Sequence, residues 1–370
     1  MSKIDRITIR GFKSIQELVD FPLRNLNVIV GANGAGKSNF IQLFRLVRNM
    51  LKKNLQEYTV QNGGASSFLF NGLKTTRQIQ AEFQFGDNSY RFSLVPTADD
   101  KFAVSESRRY LDRSWFSFSY ATSESRLEDD KNDKSSVFPG YDGPGHYVHA
   151  AISRWMLYHF HDTSEHAPMR GFAIVEDNEY LREDAANIAP FLLRLKHGSD
   201  TERRSYRRIV ETVRLVMPFF DDFLLDPVKS GPADRLRLSW CQKGSDYPFQ
   251  PYHLSDGSIR FICLATALLQ PHPPSTIVID EPELGLHPQA VGIVAELMKV
   301  ASAETQVIAA TQSPQLLDSF DIEDIVVARR RDGATILERL SAADYSEWVE
   351  DFAPGALWAN NVIEGGPVHE

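Results

Sequence analysis

Residues 26–40 read LNVIVGANGAGKSNF, and no other stretch restricts the fold as strongly. The first five residues are apolar enough to form a strand buried on both faces. Phe40, Leu43, Phe44, Val47, Met50 and Leu51 then recur at helical spacing. Between strand and helix lies G-x-x-x-x-G-K-S, whose Gly31, Gly34 and Gly36 let backbone N–H groups converge without Cβ obstruction. The helix start aims the positive end of its dipole at the same place. The pattern predicts an ATP phosphate site built from Asn33, Gly34, Ala35, Gly36, Lys37, Ser38 and Asn39. Lys37 would reach the β- and γ-phosphates, and the Ser38 hydroxyl would ligate Mg²⁺. A chance glycine-rich loop is the alternative, and the buried strand before it and the helix after it argue against that.

Residues 276–280, TIVID, form a second apolar strand that ends in carboxylates. Asp280 is placed to hold Mg²⁺, directly or through water. Glu281 sits where a base can orient an attacking water. A strand followed by an acidic helix start would look the same, and it is the phosphate loop that favours the chemical reading. The C-terminal part alternates strand and helix: TIVID, a helix over 288–301, QVIAA, a short helix, then DIVVARR. This is the rhythm of a parallel α/β sheet. At the other end IDRITI at 4–9 reads as a strand, and QIQAEFQF and YRFSLV flank GDNS as a hairpin. Residues 97–150 show no sustained period and read as an irregular insertion. ISRWMLYHF reads as a strand. Ile188, Phe191, Leu192, Leu195, Ile209, Val213 and Val216 read as helical up to Pro218, DRLRLSW as one strand, and 258–269 as an almost wholly apolar helix.

The chain of 370 residues has a net charge of −9, so no global basic character points to nucleic acid, although a local patch is compatible with it. Cys241 and Cys263 offer no disulfide framework. The opening residues lack the apolar core of a signal peptide, and the longest near-apolar run, FICLATALL, is about half a membrane span. A cytoplasmic protein with no membrane partner is the expectation.

Four stretches occur in the order of the ABC-type ATPases: the glycine loop at 31–38, LSDGS at 254–258, IVIDEP at 277–282 and ATQSP at 310–314. The opening ITIRGFKSI and the run DEPELGLHP resemble the SMC, RecF and OLD-nuclease branch of that superfamily, whose stand-alone members serve prokaryotic defence or DNA repair. WMLYHFHDTS and NIAPFLLRL resemble the approach to the helical lobe of its RecF/OLD-like members. The resemblance implies an α/β ABC-ATPase head with a mixed or parallel sheet around the glycine loop, a β-rich insertion and a helical lobe. It implies one ATPase domain over 1–370, with the insertion at 77–160, the lobe at 185–225, and a core of signature, acidic strand and switch at 250–340.

In that superfamily two heads pack head to tail around two ATPs. The resemblance therefore implies a homodimer, or a larger assembly of dimers, in which Ser255, Asp256 and Gly257 touch the partner's ATP. Helix-capping chemistry alone is the plainer reading of the same turn. His287 falls where this branch crosses the dimer interface, or else simply starts a helix. Gln312 stands where most ABC ATPases have a histidine. It can contact the γ-phosphate and orient water but cannot carry charge, which implies slow turnover. The branch's further glutamine belongs within 159–187 and is not assignable there; His159, His161 and Asp162 in that span read as packing residues more readily than as a metal site. Ile363, Glu364, Gly365 and Gly366 resemble the opening of a nuclease domain four residues before the sequence ends, so a nuclease effector is expected as a separate partner. With no zinc-hook cysteine pair and no heptad run, tethering through long arms is not expected. Arg203, Arg204, Arg207 and Arg208 could line a nucleic-acid patch or a solvated face. The alternative function is the ATP-binding subunit of a membrane transporter, which the GFKS opening and the β-rich insertion disfavour.

Overall fold

A computed structural model describes residues 3–135, 140–230, 233–348 and 351–365. Gly366 and residues 136–139 of the insertion lie outside them. In chain order the first strands are β1 (Arg6–Phe12), β2 (Ile15–Pro22), β3 (Leu26–Val30), β4 (Ile79–Phe85), β5 (Asn88–Pro96), β6 (Phe102–Tyr110), β7 (Phe116–Thr122) and β8 (Trp155–Tyr158). There follow β9 (Ala173–Ile174), β10 (Phe220–Leu224), β11 (Val228–Ser230), β12 (Ala233–Leu236), β13 (Ser239–Gln242), β14 (Thr276–Asp280), β15 (Gln306–Thr311), β16 (Ile325–Arg331) and β17 (Ala334–Arg339). The helices are α1 (Lys37–Leu51), α2 (Leu55–Gln61), α3 (Pro144–Ser153), α4 (Ile188–His197), α5 (Asp200–Val216), α6 (Asp256–Leu269), α7 (Pro288–Ser302), α8 (Pro314–Leu317) and α9 (Pro354–Ala359). Two compact units result, one of residues 1–156, 274–278 and 305–370, the other of 157–273 and 279–304; the chain passes from one to the other within β8 and within β14.

In the first unit β3 is buried at every position, as its unbroken apolar sequence requires. It pairs in parallel with β15 on one side and β16 on the other, and β17 adds an antiparallel edge. The strand order of this sheet is β17-β16-β3-β15-β14-β8. Helix α1 buries Phe40, Leu43, Phe44, Val47 and Met50 along one face, with the Phe44 ring 5.2 Å from that of Trp155. A second sheet, ordered β2-β1-β4-β5-β6-β7, joins the N-terminal strands to the insertion, and β4 and β5 form the expected hairpin.

Two expectations need correction. Residues 97–150 are not irregular: β6, β7 and α3 lie there. β6 turns Phe102, Val104 and Glu106 inward, so its third core position is a carboxylate. Glu106 accepts hydrogen bonds from the Tyr90 hydroxyl at 2.7 Å, the Ser125 hydroxyl at 2.6 Å and the Arg126 N–H at 2.7 Å. Burial nonetheless pushes its carboxyl above the usual carboxylate range. An inward acid hides the alternation that marks a strand. DRLRLSW is two strands, since β12 pairs with β11 and β9 whereas β13 pairs with β10. A turn closed by the Ser239 N–H to the Arg237 carbonyl separates them.

The second unit combines helices α4 to α7 with the short strands β9 to β13. Ser199 and Glu202 form a reciprocal capping box at the start of α5. α4 packs on α5, α5 on α6 and α6 on α7. After Asp256, α6 carries a single charged residue, Arg260, and that residue is 5% exposed. Among the described residues no helix is long and apolar enough to cross a membrane.

Candidate functional site

The first unit holds the glycine loop and Gln312. α1 has no side-chain cap at its N-terminus, so its first turn presents backbone N–H groups at the end of the loop. Gly36 immediately precedes it at φ 103, and a Cβ there would lie 2.0 Å from the Thr335 hydroxyl and 2.8 Å from that of Ser14. Only glycine fits both the backbone and the space. Lys37 is 5% exposed, and its ammonium donates to the Gly31 carbonyl at 2.6 Å and the Ala32 carbonyl at 3.1 Å. Carbonyl oxygens of the loop itself thus hold the cation against the loop. Asn33, Gly34 and Ser38 are exposed, while Ala35 is buried behind them. The Asn39 amide donates to Ser14 at 2.6 Å, which makes it a brace of the loop. β15 runs beside β3 with Thr311 opposite Val30, so Gln312 follows at the level where the loop begins.

The second unit holds Asp280, Glu281, the 255–257 turn and His287. Asp280 ends β14, and Glu281 follows with φ 46, a left-handed backbone unusual outside glycine and the kind of strain that collects at functional positions. Two successive turns then lead to His287, the N-cap of α7, whose ring accepts from the Gln289 N–H. Ser255 is exposed and caps α6, accepting from the Ser258 N–H at 3.1 Å. A Cβ on Gly257 would lie 2.5 Å from the Gly285 carbonyl oxygen, so the signature turn rests directly on the turn after Glu281.

Two arginines fix these turns. Arg170, its side chain 6% exposed, donates to the Thr163 carbonyl at 2.9 Å, the Leu254 carbonyl at 3.1 Å, the Pro251 carbonyl and the Asp256 carboxylate at 3.0 Å. Arg260 donates to the carbonyls of Phe160 at 2.9 Å, His161 at 3.0 Å and Leu284. Burial lowers the Arg260 pKa, and the nearby Asp256 charge partly restores it. His161 is 2.9 Å from the Asp280 carbonyl oxygen through Nε2. It therefore holds the acidic strand end by its backbone. No cluster of three or more metal-ligating side chains occurs among the described residues, and no glutamine occurs within 159–187. Sequence reasoning missed Ser14, Arg170, Arg260 and Thr335. Arg260 carried a signal: a lone cation in an apolar helix must find acceptors.

Arg203, Arg204, Arg207 and Arg208 on α5 are all exposed. Arg203 is paired with Asp200 at 2.6 Å, and Arg204 and Arg207 bond within the helix.

Strand, glycine loop, acidic strand end and signature turn define an ABC-type ATPase of the SMC, RecF and OLD branch. Residues 26–318 match the family described as AAA domain, putative AbiEii toxin, Type IV TA system, and the chain belongs to it. A curated OLD nuclease of Thermus scotoductus is 22% identical over 93% of this chain; the chain spans only 65% of that protein's length. An Smc head bound to the C-winged helix domain of ScpA aligns at a TM-score of 0.56 and 18% identity, covering 93% of this chain and 99% of that one. An Smc head with an extended coiled coil, bound to the C-terminal domain of ScpA and derived from Pyrococcus furiosus, aligns at 0.53 and 18% identity, covering 95% and 99%. These likenesses establish the fold as an ABC-ATPase head of mixed α/β type. The transporter alternative finds no support among them.

Proposed function

We propose that the chain is an ATP-driven dimerisation switch. Each ATP with its Mg²⁺ is held by the glycine loop of one copy and closed over by the 255–257 turn of another. Lys37 and the N–H groups at the start of α1 take the phosphates. Ser38 and Asp280 are the residues suited to hold Mg²⁺, which would neutralise phosphate charge. Glu281 accepts a proton from the attacking water, and Gln312 orients that water. Ser255 and Gly257 reach the γ-phosphate from the neighbouring copy, with His287 beside them. Hydrolysis removes the group that both copies grip, and the dimer opens. Such a switch suits DNA repair or defence against phage, signalling to a separately encoded effector such as a nuclease, in a cytoplasmic setting.

The observation that carries this reading is the signature turn. It exposes Ser255 and Asp256, sits at the N-terminus of α6, and is held by the otherwise buried Arg170. A cap serving α6 alone would not need a four-acceptor clamp behind it. The Glu281→Gln variant tests the reading. Phosphate release should fall by about 100-fold or more, the usual worth of a general base. ATP should now trap a dimer visible by size-exclusion chromatography with light scattering. A variant that hydrolyses at the parent rate, or stays monomeric in saturating ATP, sinks the proposal.

A further inference from the structure

Glu281 lies just beyond β14 with φ 46, and the next residue is Pro282. A glutamate has no intrinsic reason to stay in that left-handed backbone. Proline narrows the freedom of the residue before it, and it has no N–H with which to pin the peptide group that follows Glu281. The conformation must therefore be held by the groups on either side.

On the N-terminal side the Asp280 carbonyl oxygen lies 2.9 Å from His161 Nε2. A carbonyl oxygen only accepts, so Nε2 carries the hydrogen and donates it. On the C-terminal side the Glu281 carbonyl accepts the Leu284 N–H at 3.1 Å, and the Leu284 carbonyl accepts from Arg260. The same guanidinium donates to the His161 carbonyl at 3.0 Å and to the Phe160 carbonyl at 2.9 Å. These hydrogen bonds close a circuit. It leaves from the His161 ring, runs through Asp280, Glu281, Leu284 and Arg260, and returns to the His161 backbone. Arg260 is buried and His161 half-buried, so water competes weakly for its bonds. Asp280 itself is still part of the strand. The carbonyl that His161 grips belongs to the peptide group leading into Glu281, and that group sets the direction of the Glu281 side chain.

We propose that His161 is a positioning residue for hydrolysis: by gripping the Asp280 carbonyl it fixes where the Glu281 carboxylate points. This role rests on Glu281 being the base. His161 acts in it as a hydrogen-bond donor of fixed reach and not as a proton carrier. Glutamine, whose amide nitrogen reaches about as far as Nε2, can replace it. Asparagine is too short, and leucine has no donor.

The three substitutions are made in the full chain and again in the Glu281→Gln chain, and kcat and KM for ATP are measured at saturating Mg²⁺ beside a melting curve. His161→Leu should lower kcat about tenfold or more, the worth of a misplaced catalytic group, with KM for ATP unchanged. His161→Gln should recover most of the rate and His161→Asn little of it. If the leucine variant folds poorly, this amide pair carries the test, since its members differ only in reach. In the Glu281→Gln chain none of the three should change the residual rate, because no carboxylate is left to aim. A histidine that merely stabilised the fold would lower the rate in both chains by the same factor, and that result overturns the role. So does a leucine variant at the parent rate, or a glutamine variant as slow as the asparagine one. A loss that appears only at low Mg²⁺ also overturns it, by placing the effect on the Asp280 carboxylate. The two readings fail separately: Glu281→Gln hydrolysing at the parent rate removes the base before His161 is touched, whereas a slow Glu281→Gln beside an unimpaired His161→Leu removes only the positioning role.

Discussion

Thr335 donates its hydroxyl hydrogen to the Ala35 carbonyl at 2.8 Å and shares a second hydrogen bond with Ser14 at 2.7 Å. Ser14 in turn receives the Asn39 amide. The glycine loop is thus fixed from behind by two hydroxyls in the buried space that a Cβ on Gly36 would occupy. Thr335→Val keeps the shape and removes the hydroxyl, leaving a buried carbonyl unmet. The expected cost is about 1–3 kcal/mol of stability. ATP affinity should fall severalfold, measured by calorimetry beside a melting curve; unchanged affinity in a destabilised protein would remove the brace from the binding account. Gln312 invites a second substitution. Gln312→His introduces a group that can carry charge beside the start of the loop, and single-turnover hydrolysis should speed up. If the histidine variant is no faster, Gln312 does not occupy the switch position. The loop itself was readable because strand, glycines and helix signal within fifteen consecutive residues. The brace was not, because Ser14 and Thr335 lie 321 residues apart and each is an ordinary hydroxyl in its own surroundings.

Among the elements, α6 and the turn after Glu281 form the part that must move or hold as one. Arg260 ties α6 to the carbonyls of Phe160, His161 and Leu284, and Arg170 ties the start of α6 to the Leu254 and Thr163 carbonyls. Neither contact touches the glycine loop, which belongs to the other unit. Arg170→Ala should therefore leave ATP affinity near the parent value while ATP-dependent dimerisation weakens about tenfold or more and turnover falls with it, at a stability cost of about 1–3 kcal/mol from unmet carbonyls. Arg170→Lys, with the charge but not the fork, should rescue only part of this. Loss of ATP binding itself in Arg170→Ala would show that the arginine acts on something other than the signature turn. The elements also explain where reading the sequence failed. β3 and α1 follow from periodicity alone. β6 does not, because Glu106 stands at an inward position and is satisfied by donors that include Tyr90, Ser125 and Arg126, the last two outside the strand pair.

For the whole molecule, what matters is how the residues proposed to act on ATP are distributed. One unit carries the loop, Lys37, Ser38 and Gln312; the other carries Asp280, Glu281, Ser255 and His287. If Ser255 serves a neighbouring copy's ATP, two kinds of damaged chain should repair each other. Lys37→Ala lacks the lysine proposed to grip phosphate but keeps its signature turn. Ser255→Asp keeps a residue able to cap α6 yet sets a negative charge where the partner's γ-phosphate would lie. Each variant alone should be nearly inactive. Mixed in equal amounts and allowed to exchange, half of the dimers contain one chain of each kind, and each of these has one undamaged composite site. Hydrolysis should then recover to about a quarter of the parent rate under two-fold association. Recovery should grow with total protein concentration, since it depends on pairing. A mixture no more active than its separate components, or a parent chain that hydrolyses ATP at full rate while monomeric, would mean that each copy completes its own site and that Ser255 is only the cap of α6.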